Sequence, residues 1–334
     1  MQPKGIFVIT SVYHILLSIL HIEERQLKNN VLVIVEITPD IESLIAGLKK
    51  TEWFNAVILM AGRKKQKKLA GKFTYTFNRK KIVDLVDAEN SELKRIKNGS
   101  DNFDVYICSP DSAKNYFMYK YQNHDKFMIE DGLKTYVTNP PSLTKKIVGL
   151  LINRPMVNGF DKRITKVFAT SPKDLPKQLK IKSEKLSWKT TLKQLNQDKL
   201  NALSAAFLPN TDLNTETLFP KDKSKSIILT QTLNEDGVIE HEHQKIDLCK
   251  DFVNQANTDI IYIKPHPREK TDYALIFKTD SRIIVLPKLF PAELLNLHPN
   301  LKFKKAFTAF STAIDNLEHV EEKISLGHLH FKRK

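Results

Sequence analysis

Ile260-Ile261-Tyr262-Ile263-Lys264-Pro265-His266-Pro267-Arg268-Glu269 is the stretch from which the rest of the chain is read. Four consecutive apolar or aromatic residues fit a strand covered on both faces, which is the pattern of a parallel sheet. The prolines on either side of His266 end the hydrogen-bond ladder and restrict the backbone around it. A histidine fixed at the carboxyl end of a parallel strand stands where open α/β sheets bind ligands. Lys264 and Arg268 flank it, so the expected ligand is an anion. A single histidine at a strand end is also often a surface or capping residue, and pocket logic alone does not separate the two.

Working outward, the same strand type recurs at 5–10, 31–35, 56–60, 103–108 and 126–129, with short strands at 166–170 and 178–182. It returns at 226–231, 281–286 and 304–310. Between these lie helical patterns: 12–27 capped by Ser11, 41–51, 80–96, 190–208, 246–256, and one from Ser311 to about Val320. Arg63–Lys68 reads as a basic loop, and the aromatic run around Tyr116–Tyr121 as a short helix packed into the core. Strand–helix alternation in both halves predicts an α/β protein with two Rossmann-like domains facing a central cleft. The expected domains are 1–205 and 226–334, joined by a polar linker at 206–225. No Gly-x-Gly-x-x-Gly follows the first strand, which argues against a dinucleotide cofactor.

Composition narrows the classes further. The 334 residues carry 53 Lys+Arg against 38 Asp+Glu, a formal charge of +15, with 41% hydrophobic residues. This describes a folded chain rather than a disordered one. Cys108 and Cys249 lie far apart with no paired spacing, so neither a disulfide framework nor a zinc site is expected. No apolar run approaches the roughly 18 residues of a membrane span, and "MQPKGIFVIT" enters a strand without a signal-peptide pattern. A cytoplasmic protein is expected. The charge favours polyanions, with lysine densest at Arg63–Lys68 and Lys332–Lys334; either run is also readable as a solubilising face. A non-enzymatic polyanion binder is therefore one reading, although the basic residues are scattered and no nucleic-acid-binding motif is present.

Several further positions can carry chemistry. Glu130-Asp131-Gly132 follows a strand and reads either as an ordinary turn or as carboxylates at a crevice edge, one of them a general base. Glu235-Asp236-Gly237 repeats the tripeptide after another strand, so Asp236 rivals Asp131. Thr10-Ser11-Val12-Tyr13-His14 offers backbone amides at a helix start, with the Tyr13 and His14 side chains beside them. Glu293 stands at a helix start, where it is an ordinary first-turn acid or an acceptor for ribose hydroxyls. Ser311-Thr312 places hydroxyls at another helix start. The run Glu240-His241-Glu242-His243 alternates side-chain directions, and no metal site is expected from it.

The "KPHP" at 264–267 and the "IEDG" at 129–132 resemble the two short motifs of the bacterial sialyltransferases. The chain length, the opening "VITSVYHILLSIL" and the "FST" at 310–312 resemble the lipooligosaccharide sialyltransferase branch, glycosyltransferase family 52. The resemblance runs in patches over nearly the whole chain, each motif short, their order and spacing more specific than any one of them. It implies an inverting transfer of sialic acid from CMP-sialic acid to a galactose of a glycan or glycolipid acceptor. Asp131, with Glu130 beside it, would deprotonate the acceptor hydroxyl; Asp236 remains a rival that the sequence does not separate. His266 would hydrogen-bond or protonate the departing phosphate, with Lys264, Pro267, Arg268, Thr230, Gln231, Glu293, Ser311 and Thr312 forming the donor pocket. Thr10, Ser11, Tyr13 and His14 fall on the acceptor side. No Asp-x-Asp stands near a strand end, so a metal-independent reaction without cofactor is expected. The motifs describe phosphate handling better than the sugar, and a UDP-sugar donor is the alternative. Attachment to the inner face of a bacterial membrane and a homodimer are also expectations, the first resting on charge and on the family's glycolipid acceptors.

Overall fold

The computed structural model describes residues 4–71, 75, 78–96, 103–108, 115–151, 159–208, 218–297 and 301–331. The basic run Lys332–Lys334 and residues 209–217 of the polar linker fall outside these residues. The chain divides into two compact units, Met1–Ala206 and Phe207–Lys334.

The first unit is built on seven strands: β1 (Gly5–Ile9), β2 (Asn30–Val35), β3 (Ala56–Met60), β4 (Asp104–Cys108), β5 (Lys126–Ile129), β6 (Ile164–Ala169) and β7 (Ser183–Lys185). All pairs are parallel, in the order β3-β2-β1-β4-β5-β6-β7. Every residue of β1 and β2 is buried, as continuous apolar runs in a doubly covered sheet require. The order reverses between β1 and β4, the position where α/β sheets open a crevice at the carboxyl ends of their strands. Helix α1 (Val12–Arg25) starts there, with the Ser11 hydroxyl accepting the peptide N–H of His14 at 3.3 Å.

The second unit has five strands: β8 (Lys225–Leu229), β9 (Ile260–Lys264), β10 (Ile283–Val285), β11 (Phe303–Thr308) and β12 (Val320–Ser325). These are also all parallel, in the order β10-β9-β8-β11-β12. Its reversal lies between β8 and β11, so the segments after β8, β9 and β11 share one edge.

Several local expectations are corrected. The stretch expected as a basic loop is a helix, Arg63–Ala70. The helix expected at 80–96 is two, Arg79–Glu89 and Ser91–Arg95, because Asn90 ends the first and its side chain caps the second through the Leu93 N–H. The stretch at 178–182 holds the end of a helical turn, Lys177–Lys180, and β7 follows it. One long helix at 190–208 is replaced by Trp188–Gln194 and Gln197–Phe207, with Asn196 accepting from the Lys199 N–H at the second start. The helix after Ser311 stops at Asn316 and β12 follows it, mostly exposed and charged as an edge strand should be. Tyr116, Phe117 and Tyr121 are fully buried, which makes the aromatic helix core.

Candidate active site

In the second unit β9 ends at Lys264, and Pro265 and Pro267 hold the turn that follows. Lys264 is buried, and its ammonium donates to the carbonyls of Pro265 at 2.6 Å and Lys288 at 2.9 Å. Burial pulls its pKa down to about 8, against the opposing pull of Glu293 and Glu269. Lys264 thus braces the turn from beneath rather than reaching out to an anion.

His266 is held at both ends. Its peptide N–H donates to Glu269 Oε2 at 2.7 Å and lies 3.3 Å from Thr230 Oγ1, while its Nδ1 accepts the Arg268 N–H at 3.2 Å. An Nδ1 that accepts leaves the ring proton on Nε2. Burial, then the Arg268 and Lys264 charges, lower the ring to about 4, so at neutral pH it is an uncharged imidazole offering one N–H. A bound anion would favour the charged ring and move that value back up.

Sequence reading missed the residue that organises this turn. Glu269 is buried, and its carboxylate accepts from the His266 N–H, the Thr230 hydroxyl and the Tyr273 hydroxyl at 2.9 Å, with Lys245 Nζ at 3.3 Å. Burial pushes its carboxyl above the usual range against these bonds. Lys245, itself buried, also holds Glu235 at 2.9 Å. The available signal was the spacing His-x-x-Glu, in which a carboxylate three residues on can bond back to the turn's own N–H groups.

Asp236 is clamped. Arg268 meets it with both terminal nitrogens, 2.9 Å to Oδ1 and 2.8 Å to Oδ2, and the Thr232 hydroxyl adds a third bond to Oδ2. The Arg268 guanidinium holds its carboxyl below the usual carboxylate range. Gln231 spans the strand reversal, its Oε1 accepting the Phe310 N–H at 2.7 Å. The Ser311 N–H donates to Thr308 Oγ1 at 3.1 Å, and its own hydroxyl accepts from Ala313 N–H at 3.2 Å. Thr312 is exposed and caps nothing with its side chain. A four-residue helix behind it supplies little macrodipole, so this corner offers hydroxyls and turn amides instead. Glu293 is buried on the 3-10 turn Ala292–Leu297 and accepts from Asn316 Nδ2 at 3.1 Å.

The first unit gathers its predicted residues into one cluster at the ends of β1 and β5. Glu130 is buried and engaged: the Tyr13 hydroxyl donates at 3.1 Å, the Thr170 N–H at 2.7 Å, and the Tyr136 hydroxyl adds another bond. Asp131 is the more accessible carboxylate. His14 Nε2 lies 2.9 Å from its Oδ1, its peptide N–H donates to Thr135 Oγ1 at 2.6 Å, and Lys134 Nζ stands at 3.9 Å. On the other side of the His14 ring, Nδ1 is 3.2 Å from Thr10 Oγ1. A buried imidazole bonded on both nitrogens fixes the orientation of the carboxylate it touches. Among the described residues, no group of three or more His, Cys, Asp or Glu side chains is placed to hold a metal ion; His241 instead caps helix Glu242–Ala256 in a capping box with Gln244. No helix of the described residues is long and apolar enough to cross a membrane.

Two parallel α/β units, each with polar side chains gathered where its strand order reverses, define the doubly wound architecture of the GT-B-type glycosyltransferases. The chain belongs to glycosyltransferase family 52, whose sequence profile it matches over residues 57–332. A Haemophilus influenzae protein, described only as uncharacterized, is 31% identical over 188 residues, 56% of this chain and 57% of that protein. The chain thus spans little more than half the length of that relative. The crystal structure of an alpha/beta-galactoside alpha-2,3-sialyltransferase from Photobacterium phosphoreum is similar over 97% of this chain and 91% of its own, with a TM-score of 0.53 and 14% identity. At that identity the likeness is one of fold.

Proposed function

We propose that the chain moves sialic acid from CMP-sialic acid to a terminal galactose of a lipooligosaccharide or capsule-type glycan, with inversion and without a metal or cofactor. The observation that carries the reading is the contrast between the two candidate bases. Asp131 is oriented by His14, with Lys134 no nearer than 3.9 Å, whereas Asp236 is neutralised by a bidentate arginine. A base must be aimed at the proton it takes, and a carboxylate held in an arginine fork has its proton affinity suppressed.

In this mechanism Asp131 takes the proton of the acceptor hydroxyl. The acceptor oxygen forms a bond to the anomeric carbon as the bond from that carbon to the phosphate oxygen breaks. The electron pair leaves with CMP, whose phosphate accepts hydrogen bonds from His266 Nε2–H and the Ser311 and Thr312 hydroxyls. Arg268, Thr230 and Gln231 complete the proposed donor site, with Glu293 assigned to the ribose. A net charge of +15 would hold such an enzyme at an anionic membrane surface on the cytoplasmic side, where a glycolipid acceptor is met.

The test is transfer from CMP-sialic acid to lactose in the presence of EDTA by wild type, His266→Ala, Asp131→Ala and Asp236→Ala. Loss of transfer in the first two variants with activity retained in Asp236→Ala is the expected result. CMP release by no version, with lactose or lipooligosaccharide offered, would sink the donor assignment, and UDP-sugars would be tried next.

A further inference from the structure

Near the carboxyl ends of β2 and β3, the first unit holds an open cavity of about 620 Å³, counting its solvent-open mouth. It is lined mainly by apolar side chains, among them Met60, Leu69, Ala70, Ile82, Leu85 and Val86. The cavity is separate from the His14–Asp131 cluster: β3 is the edge strand, two places from β1 and four from β5, about 10 and 20 Å at ordinary strand spacing.

The helix over this cavity, Arg63–Ala70, breaks the rules of a stable surface helix. Five of its first six residues are cations, three of them in the opening turn where the helix dipole is already positive, and it has no acidic residue there. None of the five forms an ion pair with a described residue. The helix is nonetheless pinned in place, because the buried Gln66 donates from Nε2 to the Ala61 carbonyl at 2.8 Å. Lys65 and Leu69, one turn apart, both line the cavity, and Leu69 is left 45% exposed. A fixed, self-repelling row of cations above an apolar hollow is stabilised by a ligand that is anionic at one end and hydrocarbon at the other. Glu36 and Glu89 also line the cavity, which directs the charged end towards Lys65, the lysine in its lining, and towards its exposed helix neighbours Lys64 and Lys68.

We infer that this cavity binds the hydrocarbon chain of an anionic amphiphile, with its charged end on the lysines of helix Arg63–Ala70. The inference does not rest on the transferase reading, and its test needs no enzymatic activity.

The full chain is titrated calorimetrically with octyl, decyl and dodecyl phosphate below their micelle concentrations, and with dodecyl maltoside and inorganic phosphate as controls. Saturable one-to-one binding is expected, with affinity rising about fourfold per added methylene until the hollow is full. Lys64→Gln, Lys65→Gln and Lys68→Gln should each weaken the phosphates about fivefold and leave the maltoside unchanged. Ala70→Trp fills the hollow, and Leu69→Glu places a carboxylate at its mouth without disturbing a buried residue. Both should weaken dodecyl phosphate by at least about tenfold. Binding without chain-length dependence, or full competition by inorganic phosphate, would reduce the feature to an anion-attracting surface and overturn the inference. So would no saturable binding, binding that Leu69→Glu leaves unchanged, or a wild-type dimer in sedimentation that Leu69→Glu dissolves, which would assign the hollow to a second copy.

Discussion

Glu130-Asp131-Gly132 and Glu235-Asp236-Gly237 are the same tripeptide, each following a buried parallel strand, yet the two units use them in opposite ways. Both glycines take positive φ, 56° and 70°, so the turns share a need for a residue without a Cβ. The partners differ. In the first unit the glutamate is buried among hydroxyls and an N–H, and the aspartate is paired with a histidine. In the second the glutamate is tied to a buried lysine, and the aspartate is spent on an arginine fork. A motif of this length specifies a backbone shape; its chemistry comes from what the rest of the fold brings to it.

That contrast is most exposed to Asp131→Asn. If Asp131 is the base, the substitution keeps the shape and lowers kcat by about 10²–10⁴, the usual share of general-base catalysis. Steady-state transfer from CMP-sialic acid measures it, and a loss under tenfold would remove Asp131 from the role. Next in size is Glu269→Ala. Removing this carboxylate leaves Lys245 facing one partner fewer and the His266 N–H and Tyr273 hydroxyl without the carboxylate they bond in the interior. The expected cost is about 3–5 kcal/mol, the range for breaking a buried charge pair. A urea midpoint unchanged from wild type would show that the turn stands without its hub.

The parallel sheets were legible because long Ile/Val/Leu runs admit few other readings, and the KPHP turn because two prolines fix it. β12 was not, since Val320-Glu321-Glu322-Lys323-Ile324-Ser325 lacks the apolar run of a covered strand and pairs only as a charged edge. Helix Arg63–Ala70 has no helical signature because its charges disfavour a helix; the bond from buried Gln66 to the Ala61 carbonyl and packing against helix Arg79–Glu89 override them. Thr10, Tyr13, His14, Glu130 and Asp131 could each be named, but the pairing of His14 with Asp131 spans 117 positions and has no local signature. Glu269 was hidden for a similar reason: its partners Thr230, Lys245 and Tyr273 come from three different elements.

Two histidines on α1 repeat the lesson within one helix. His14 is bonded on both ring nitrogens, whereas neither nitrogen of buried His21 has a hydrogen-bond partner among the described residues. His21 packs among Phe7, Tyr106 and Phe168, and burial, followed by the Arg25 charge, lowers it to about 3. The folded state therefore keeps this ring neutral while the unfolded chain takes up a proton below about 6.5. Stability from this group is fully present above that pH and is lost as pH falls towards 3, by about 3 kcal/mol at pH 4. His21→Phe should flatten that part of the acid limb in denaturation curves taken from pH 7 to pH 4. Parallel curves for variant and wild type would show that the ring is protonated inside the fold.

The smallest effect is expected at Asp236. It and Arg268 are each more than 40% exposed, so the pair contributes about 0–1 kcal/mol to stability despite its bidentate geometry. Asp236→Asn should leave the urea midpoint nearly unchanged. What it frees is the Arg268 fork, which then points into the pocket assigned to the donor phosphate with its full charge. Donor KM should therefore move by a few-fold while kcat stays close to wild type, a split that general-base loss would not give. A collapse of kcat in Asp236→Asn with KM intact would reverse the assignment of the two aspartates, and with it the reading of which turn does the chemistry.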